Sequence, residues 1–337
     1  MRIFNVMMSR DLGGIQQAYV DYHNALTMQK HEVINITSVS AQINQQLANN
    51  YSLLNLAPWC FLSKLYLWLL ALIHKPDLII CHGNRAVSFA STSKQKNIPI
   101  IGVSHNYSYK HLYKCDYILV LTDKLKEHLM QRGIDKKRLL SISNMTNVVH
   151  AYKAVPAYKN PVIIGSFGRF VQKKGFIYLI EAIKLLNQTN HNVQLLLGGD
   201  GPDKDALIQK TKELQLEEYI KFHGWVRDKD VFFQEIDLFC LPSTIEPFGI
   251  ILLEAMEHSK PIIATKSGGP EEIIHDNIDG LLTKIESSQD LADKLSYAIN
   301  NHAKAEQLAK SAHARLKENY DIKIVSKQLS EILGAIK

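Results

Sequence analysis

Two glutamates, Glu246 and Glu254, stand eight positions apart in a stretch that is otherwise apolar or turn-forming. Glu246 falls in the loop Glu246-Pro247-Phe248-Gly249, just after the apolar run Asp237 to Leu241. Glu254 falls inside the apolar segment Ile250 to Met256, which reads as a buried helix. A carboxylate among apolar positions is costly unless something pairs with it. The start of such a helix offers free backbone N–H groups and a positive dipole end, which suit a phosphate. Glu254, further along the same helix, could then accept hydroxyls of the same ligand. Taken alone, the pair fits equally well a partly exposed glutamate on an amphipathic helix.

Cations recur at a second loop. Gly168-Arg169-Phe170-Val171-Gln172-Lys173-Lys174-Gly175 follows the apolar run Val162 to Phe167. Arginine and lysine at a strand-to-helix loop flanked by glycines can clamp a diphosphate by charge and hydrogen bonds. Near the start of the chain, Gly13 and Gly14 separate the strand-like Arg2 to Met7 from a helical stretch, Ile15 to Met28. Two such glycines let a backbone approach a ligand or simply make a tight turn. The dinucleotide pattern GxGxxG is absent there, which argues against a nicotinamide site. His82 and His105 each end a strand-like run, where ligands of open parallel sheets bind. A loop histidine is more often solvated, and the residues alone do not select His105.

The elements that must position these groups alternate along the chain. Apolar strand runs, glycine- or proline-containing loops and helical stretches repeat, the pattern of a parallel sheet. Residues 146–160 are turn-prone and mark a linker. From about Ser288 the chain reads as helical. Residues 38–58 are polar and carry no evident chemistry. Residues 59–73, WCFLSKLYLWLLALI, are the most apolar stretch and too short to span a bilayer. Burial against the sheet is the favoured reading; contact with a membrane interface through Trp59, Lys64, Tyr66 and Trp68 is the alternative. Thr122 is placed to cap a helix running to about Arg132.

A chain of 337 residues has room for two domains, and 46% hydrophobic with 21% charged residues is a globular composition. Cys60, Cys81, Cys115 and Cys240 are scattered without a CxxC pair, so neither a disulfide framework nor a zinc motif is indicated. The first residues contain no long apolar core of a secretory signal, and a cytoplasmic location is expected. Charge is uneven: residues 1–158 carry 17 Lys and Arg against 8 Asp and Glu, whereas 159–337 carry 22 against 25. The basic half, with its turn Asp135-Lys136-Lys137-Arg138, is suited to an anionic surface. No nucleic-acid motif accompanies it. An anionic membrane leaflet is the expected partner, and a merely basic soluble surface the alternative.

Glu246 and Glu254, separated by seven residues, together with Gly268-Gly269-Pro270-Glu271 and Gly280-Leu281-Leu282, resemble the signature of the family 4 glycosyltransferases. Several linked motifs at the right spacing are a specific signal over residues 160–285; the likeness over 1–150 is weaker. The resemblance implies an α/β protein of the GT-B fold, two Rossmann-like domains with parallel sheets facing across a cleft. It divides the chain into an acceptor-side domain, 1–158, completed by 321–337, and a donor-binding domain, 159–320. The implied reaction moves a sugar from a nucleotide diphosphate sugar to an acceptor hydroxyl with retained configuration and no metal. A UDP-sugar is the first expectation, with GDP- and ADP-sugars behind it.

The resemblance also implies roles. Arg169 and Lys174 would take the pyrophosphate, and Gly13 and Gly14 would lie near it. Glu254 would hold the ribose. Trp225 and Val226 would meet the nucleobase, partly through backbone. Glu246 and the backbone of Phe248, Gly249 and Ile250 would hold the sugar, and His105 a sugar hydroxyl. Asn106 stands where the family often has Asp. Met145 replaces the glycine of an Asn-Gly, so the turn after Asn144 is expected to differ. A lipid-linked or saccharide acceptor is expected, in lipopolysaccharide or other cell-surface polysaccharide synthesis. A nucleotide-sugar epimerase and a non-catalytic membrane scaffold of the same fold are the alternatives.

Overall fold

The structure, a computed structural model, describes all residues except 10–12, 48–49, 54–60, 93–96, 190 and 337, and leaves the side chains of 45 and 46 undescribed. The chain divides into two compact units: Met1–Asn147 with Asn319–Lys337, and Val148–Glu318.

Unit 1 runs β1 (Arg2–Met7), α1 (Gly14–Met28), β2 (Glu32–Ser38), β3 (Asn50–Leu53), α2 (Phe61–His74), β4 (Leu78–His82), α3 (Asn84–Thr92), β5 (Ile100–Ser104), β6 (Tyr117–Val120), α4 (Asp123–Gln131) and β7 (Leu139–Ser141). Its seven-stranded sheet has the order β3-β2-β1-β4-β5-β6-β7, with every pairing parallel. The central strands LIICH and IIGVS are buried at every position, as expected where helices cover both faces of a parallel sheet. Thr122 caps α4, its hydroxyl accepting from the Leu125 amide at 3.3 Å.

Unit 2 runs β8 (Val162–Phe167), α5 (Phe176–Gln188), β9 (Val193–Gly198), α6 (Lys204–Glu213), β10 (Ile220–Gly224), α7 (Lys229–Glu235), β11 (Leu238–Leu241), α8 (Ile250–Glu257), β12 (Ile262–Thr265), α9 (Pro270–Ile273), β13 (Leu281–Thr283), α10 (Ser288–Asn300) and α11 (His302–Asn319). Its six strands, also all parallel, have the order β10-β9-β8-β11-β12-β13. A core of Ile164, Leu179, Ile183, Leu195, Leu197, Leu238, Ile263 and Leu295 packs about this sheet.

Two features bear on the limits of the units. Residues 148–160, a linker by composition, are tied to unit 2. The Val149 amide donates to Glu257 at 2.9 Å, the Lys153 amide to Ser259 Oγ at 3.1 Å, and the Tyr158 hydroxyl to the Ala298 carbonyl at 3.3 Å. The last helix, α12 (Ile322–Ile336), packs on α1 within unit 1. It buries Ile322, Val325, Leu329 and Leu333, and Gln29 Nε2 donates to Ser326 Oγ at 3.0 Å.

Two sequence expectations need correction. The sequence favours burial of residues 59–73, of which 59 and 60 lie outside the described residues. Of α2, Ser63, Leu67, Leu70 and Ala71 are buried, whereas Phe61, Leu62, Leu65, Tyr66, Trp68, Leu69, Leu72 and Ile73 are exposed. A helix apolar on every side carries no mark of which face will pack. In the basic turn, Arg138 is not a free surface cation. Its guanidinium donates to the carbonyls of Tyr113 at 2.8 Å, Asp116 at 3.3 Å and Cys115, leaving Lys136 and Lys137 as the exposed charges.

Candidate active site

In each sheet the strand order reverses once, between β1 and β4 in unit 1 and between β8 and β11 in unit 2. Such a switch point opens a crevice beyond the carboxyl ends of the two strands. In unit 2 the loop after β8 carries Arg169 and Lys174, and the loop after β11 carries Glu246. The two loops are joined: the Thr244 amide donates to the Lys173 carbonyl at 2.8 Å. Gly175, with φ +63°, lies so close to the Pro242 carbonyl that a Cβ would sit 2.1 Å from its oxygen. Only glycine permits this approach, which draws the start of α5 against the end of β11.

The result is an ion pair. Lys174 Nζ donates to Glu246 Oε2 at 2.5 Å, and Ser243 Oγ donates to the same oxygen at 3.3 Å. Glu246 is buried; the ammonium beside it satisfies a carboxylate that would otherwise be uncompensated. An ammonium has three donors, so the pair leaves Lys174 able to bond a second anionic group. Arg169 is exposed on a loop whose backbone is held on either side. The Gly168 amide donates to the Gly198 carbonyl at 3.0 Å and the Phe170 amide to the Asp200 carbonyl at 2.8 Å.

Glu246 is also braced on its far side. Its amide donates to the Ser267 carbonyl at 3.0 Å, and its carbonyl accepts from the Gly269 amide at 2.7 Å. Gly269 has an ordinary helical φ of −57°, yet a Cβ there would lie 2.2 Å from the Phe248 carbonyl oxygen. The Gly-Gly-Pro-Glu motif therefore serves the glutamate loop by giving it room. Gly249, at φ +99°, caps α8 and turns the chain so that the amides opening α8 follow Phe248 directly.

Glu254 is buried in α8 and meets Lys229, whose Nζ donates to Oε1 at 2.6 Å. Burial pushes the Glu254 carboxyl above its usual range, and Lys229 opposes that shift. The second carboxylate oxygen has capacity for a hydroxyl. Lys229 lies in the first turn of α7, 25 residues before Glu254, and no local pattern links the two; sequence reasoning missed it. Trp225 and Val226 follow β10, where the Gly199 amide donates to the Gly224 carbonyl at 2.6 Å. Trp225 is 41% exposed and Val226 half-buried. Phe248 is buried and Ile250 half-buried.

In unit 1, Gly13 caps α1 and Gly14 opens it, both exposed. His82 ends β4 and His105 directly follows the neighbouring strand β5; the rings stack at 5.1 Å, with His82 Nδ1 and His105 Nε2 2.9 Å apart. This partnership, and the packing of Tyr19 and Tyr22 edge-on against His82, was not foreseen. Burial lowers the His105 pKa to about 4 and drives that of His82 down as well. Both rings are therefore neutral hydrogen-bonding groups at neutral pH, not cations.

Residues 151–315 match the family model for Glycosyl transferases group 1. The chain is 28% identical over 268 residues to the lipopolysaccharide core biosynthesis glycosyltransferase LpsE of Rhizobium meliloti (strain 1021), covering 77% of this chain and 76% of that one. It is 24% identical over 264 residues to the poly(ribitol-phosphate) alpha-N-acetylglucosaminyltransferase of Staphylococcus aureus (strain COL). That match covers 73% of this chain and 53% of the relative, so the chain spans about half its length. HepE of Anabaena, solved in complex with UDP and glucose, has the same fold, with a TM-score of 0.85 at 22% identity over 99% of this chain and 100% of that one.

Two Rossmann-like units, each built on a parallel sheet, define the GT-B class of glycosyltransferase fold. The match to the group 1 glycosyl transferases covers 165 of the 337 residues, and the chain is a hexosyltransferase.

Proposed function

We propose that this enzyme moves a hexosyl group, with retained anomeric configuration, from a nucleotide diphosphate sugar to an acceptor hydroxyl in cell-surface polysaccharide or lipopolysaccharide synthesis. A UDP-sugar is the donor we favour. The observation that carries this reading is the meeting of Lys174 and Glu246 from the two strands flanking the unit 2 switch point. The names of LpsE and of the poly(ribitol-phosphate) transferase support a surface-glycan acceptor, and the UDP and glucose bound by HepE support the donor class.

Breaking the sugar–phosphate bond builds negative charge on the leaving diphosphate. Arg169, Lys174 and the amides opening α8 supply fixed positive potential for it without a metal ion. Glu246, held by Lys174 and Ser243, accepts from sugar hydroxyls together with the backbone after Phe248. Glu254, held by Lys229, accepts from the ribose. Trp225 and Val226 hold the base. His105 bonds a sugar hydroxyl as a neutral ring, and Gly13 and Gly14 let the backbone come close to the donor phosphates.

We further assign the enzyme to the cytoplasmic face of a membrane as a peripheral protein. Among the described residues no helix is long and apolar enough to cross a bilayer. The exposed apolar face of α2 and the excess of Lys and Arg in residues 1–158 together suit an anionic leaflet. The functional reading is tested by incubating the protein with UDP-, GDP- and ADP-sugars and isolated bacterial envelope glycans in EDTA. Transfer from one donor, with the donor's anomeric configuration in the product by proton NMR, is expected. An inverted product, or a free isomerised sugar formed without acceptor, would overturn it.

A further inference from the structure

Unit 2 holds a cluster that the transfer chemistry does not use. His150, in the segment that opens the unit, Asp230, in the first turn of α7, and His258, at the end of α8, converge so that one ligand atom from each lies within 4.8 Å of the others. His258 Nε2 is 2.7 Å from Asp230 Oδ1, and His150 Nε2 is 3.4 Å from the same oxygen. The two imidazoles are tilted at 47° with centroids 5.1 Å apart.

The orientation of His258 is fixed. Its ring stacks on Phe233 at 4.4 Å, and its Nδ1 lies 2.8 Å from the Glu254 carbonyl oxygen. A carbonyl only accepts, so Nδ1 carries the proton and Nε2 presents its lone pair to Asp230. Two acceptors at that distance need a positive species between or beside them, either a second proton on the ring or a cation. A histidine whose other ring nitrogen donates to a backbone carbonyl is the usual arrangement of a metal ligand. Ligand atoms around a four-coordinate zinc ion are about 3.3 Å apart, given bonds of roughly 2.0–2.1 Å. The His150–Asp230 separation already matches, and the His258–Asp230 pair would open by about 0.6 Å.

We propose that His150, Asp230 and His258 form a binding site for a divalent transition metal of the zinc class, with two imidazole nitrogens and one carboxylate oxygen as ligands and the fourth position open to solvent. Two imidazoles select zinc, copper or nickel over magnesium or calcium. Asp230 is 60% exposed at its side chain, which gives the ion an entry path. The bound ion would pin the first turn of α7, from which Lys229 reaches Glu254, to the end of α8. It would therefore act as a structural or regulatory clasp, separate from the metal-independent transfer step.

The test uses the untagged full chain, stripped with chelator, and zinc chloride as the titrant in calorimetry, with cobalt(II) as a spectroscopic probe. One zinc per chain at micromolar or tighter affinity, a zinc-dependent rise in Tm and the strong visible absorption of four-coordinate cobalt are expected. His150→Ala and Asp230→Asn should each weaken binding by at least about tenfold and abolish the rise in Tm. Both variants should unfold at the wild-type Tm in EDTA; if His150→Ala misfolds, Asp230→Asn carries the test. No zinc binding up to millimolar concentration, or unchanged affinity in a folded variant, would overturn the proposal.

Discussion

Glu254 shows at a single residue how function works against stability. Its carboxyl is buried and its pKa is raised, with desolvation the largest cause. A raised carboxylate pKa means the native state binds protons that the unfolded state has released. Stability therefore falls as pH rises from the ordinary carboxylate value of 4.5 through the raised one. Glu254→Gln should lose roughly 100-fold in kcat/KM, about 3 kcal/mol of transition-state binding. Its Tm at neutral pH should be unchanged or higher, and any gain should shrink as pH falls toward 4.5. A lowered Tm at pH 7 would mean that the Lys229 pair outweighs burial. His105 gives the opposite sign. Its pKa is depressed to about 4 by burial, so its contribution to stability is lost as pH falls from 6.5 through 4. Proton NMR of the imidazole should show no titration of His105 near 6.5; an ordinary midpoint would contradict its burial and its neutral role.

At the scale of elements, the loops and one helix face decide what the units can do. The glutamate loop is held between Gly175 and Gly269, each in a space that a methyl group would occupy. The motifs around both glycines were legible in the sequence, but the reason for them was not, because it lies in carbonyls of Pro242 and Phe248 that come close only in the fold. The same limit hid Lys229 as the partner of Glu254 and His82 as the partner of His105. Helix α2 was misjudged because its residues are apolar on every side. Its outward face leads to a prediction: Leu65→Glu with Ile73→Glu should abolish cosedimentation with anionic liposomes at low salt. Hydrolysis of the donor in solution should be unaffected. Equal sedimentation of variant and wild type would remove α2 as the membrane contact.

For the molecule as a whole, the two-unit α/β architecture was readable because parallel strands covered on both faces are continuous apolar runs. LIICH, IIGVS, LFCL and IIAT are buried at every position. Edge strands carried no such mark: β3 reads NYSL within a polar stretch, and β13 is three residues long. The switch point of unit 2 explains why Lys174, 72 residues before Glu246, can meet it, which spacing alone does not predict. The central claim is that this meeting forms the donor site. Its most direct test is calorimetry of UDP-, GDP- and ADP-sugars against the purified protein in EDTA. Micromolar binding of one nucleotide sugar, lost in Lys174→Ala with an unchanged Tm, is the predicted result. Binding of that donor with equal affinity by wild type and Lys174→Ala would contradict it.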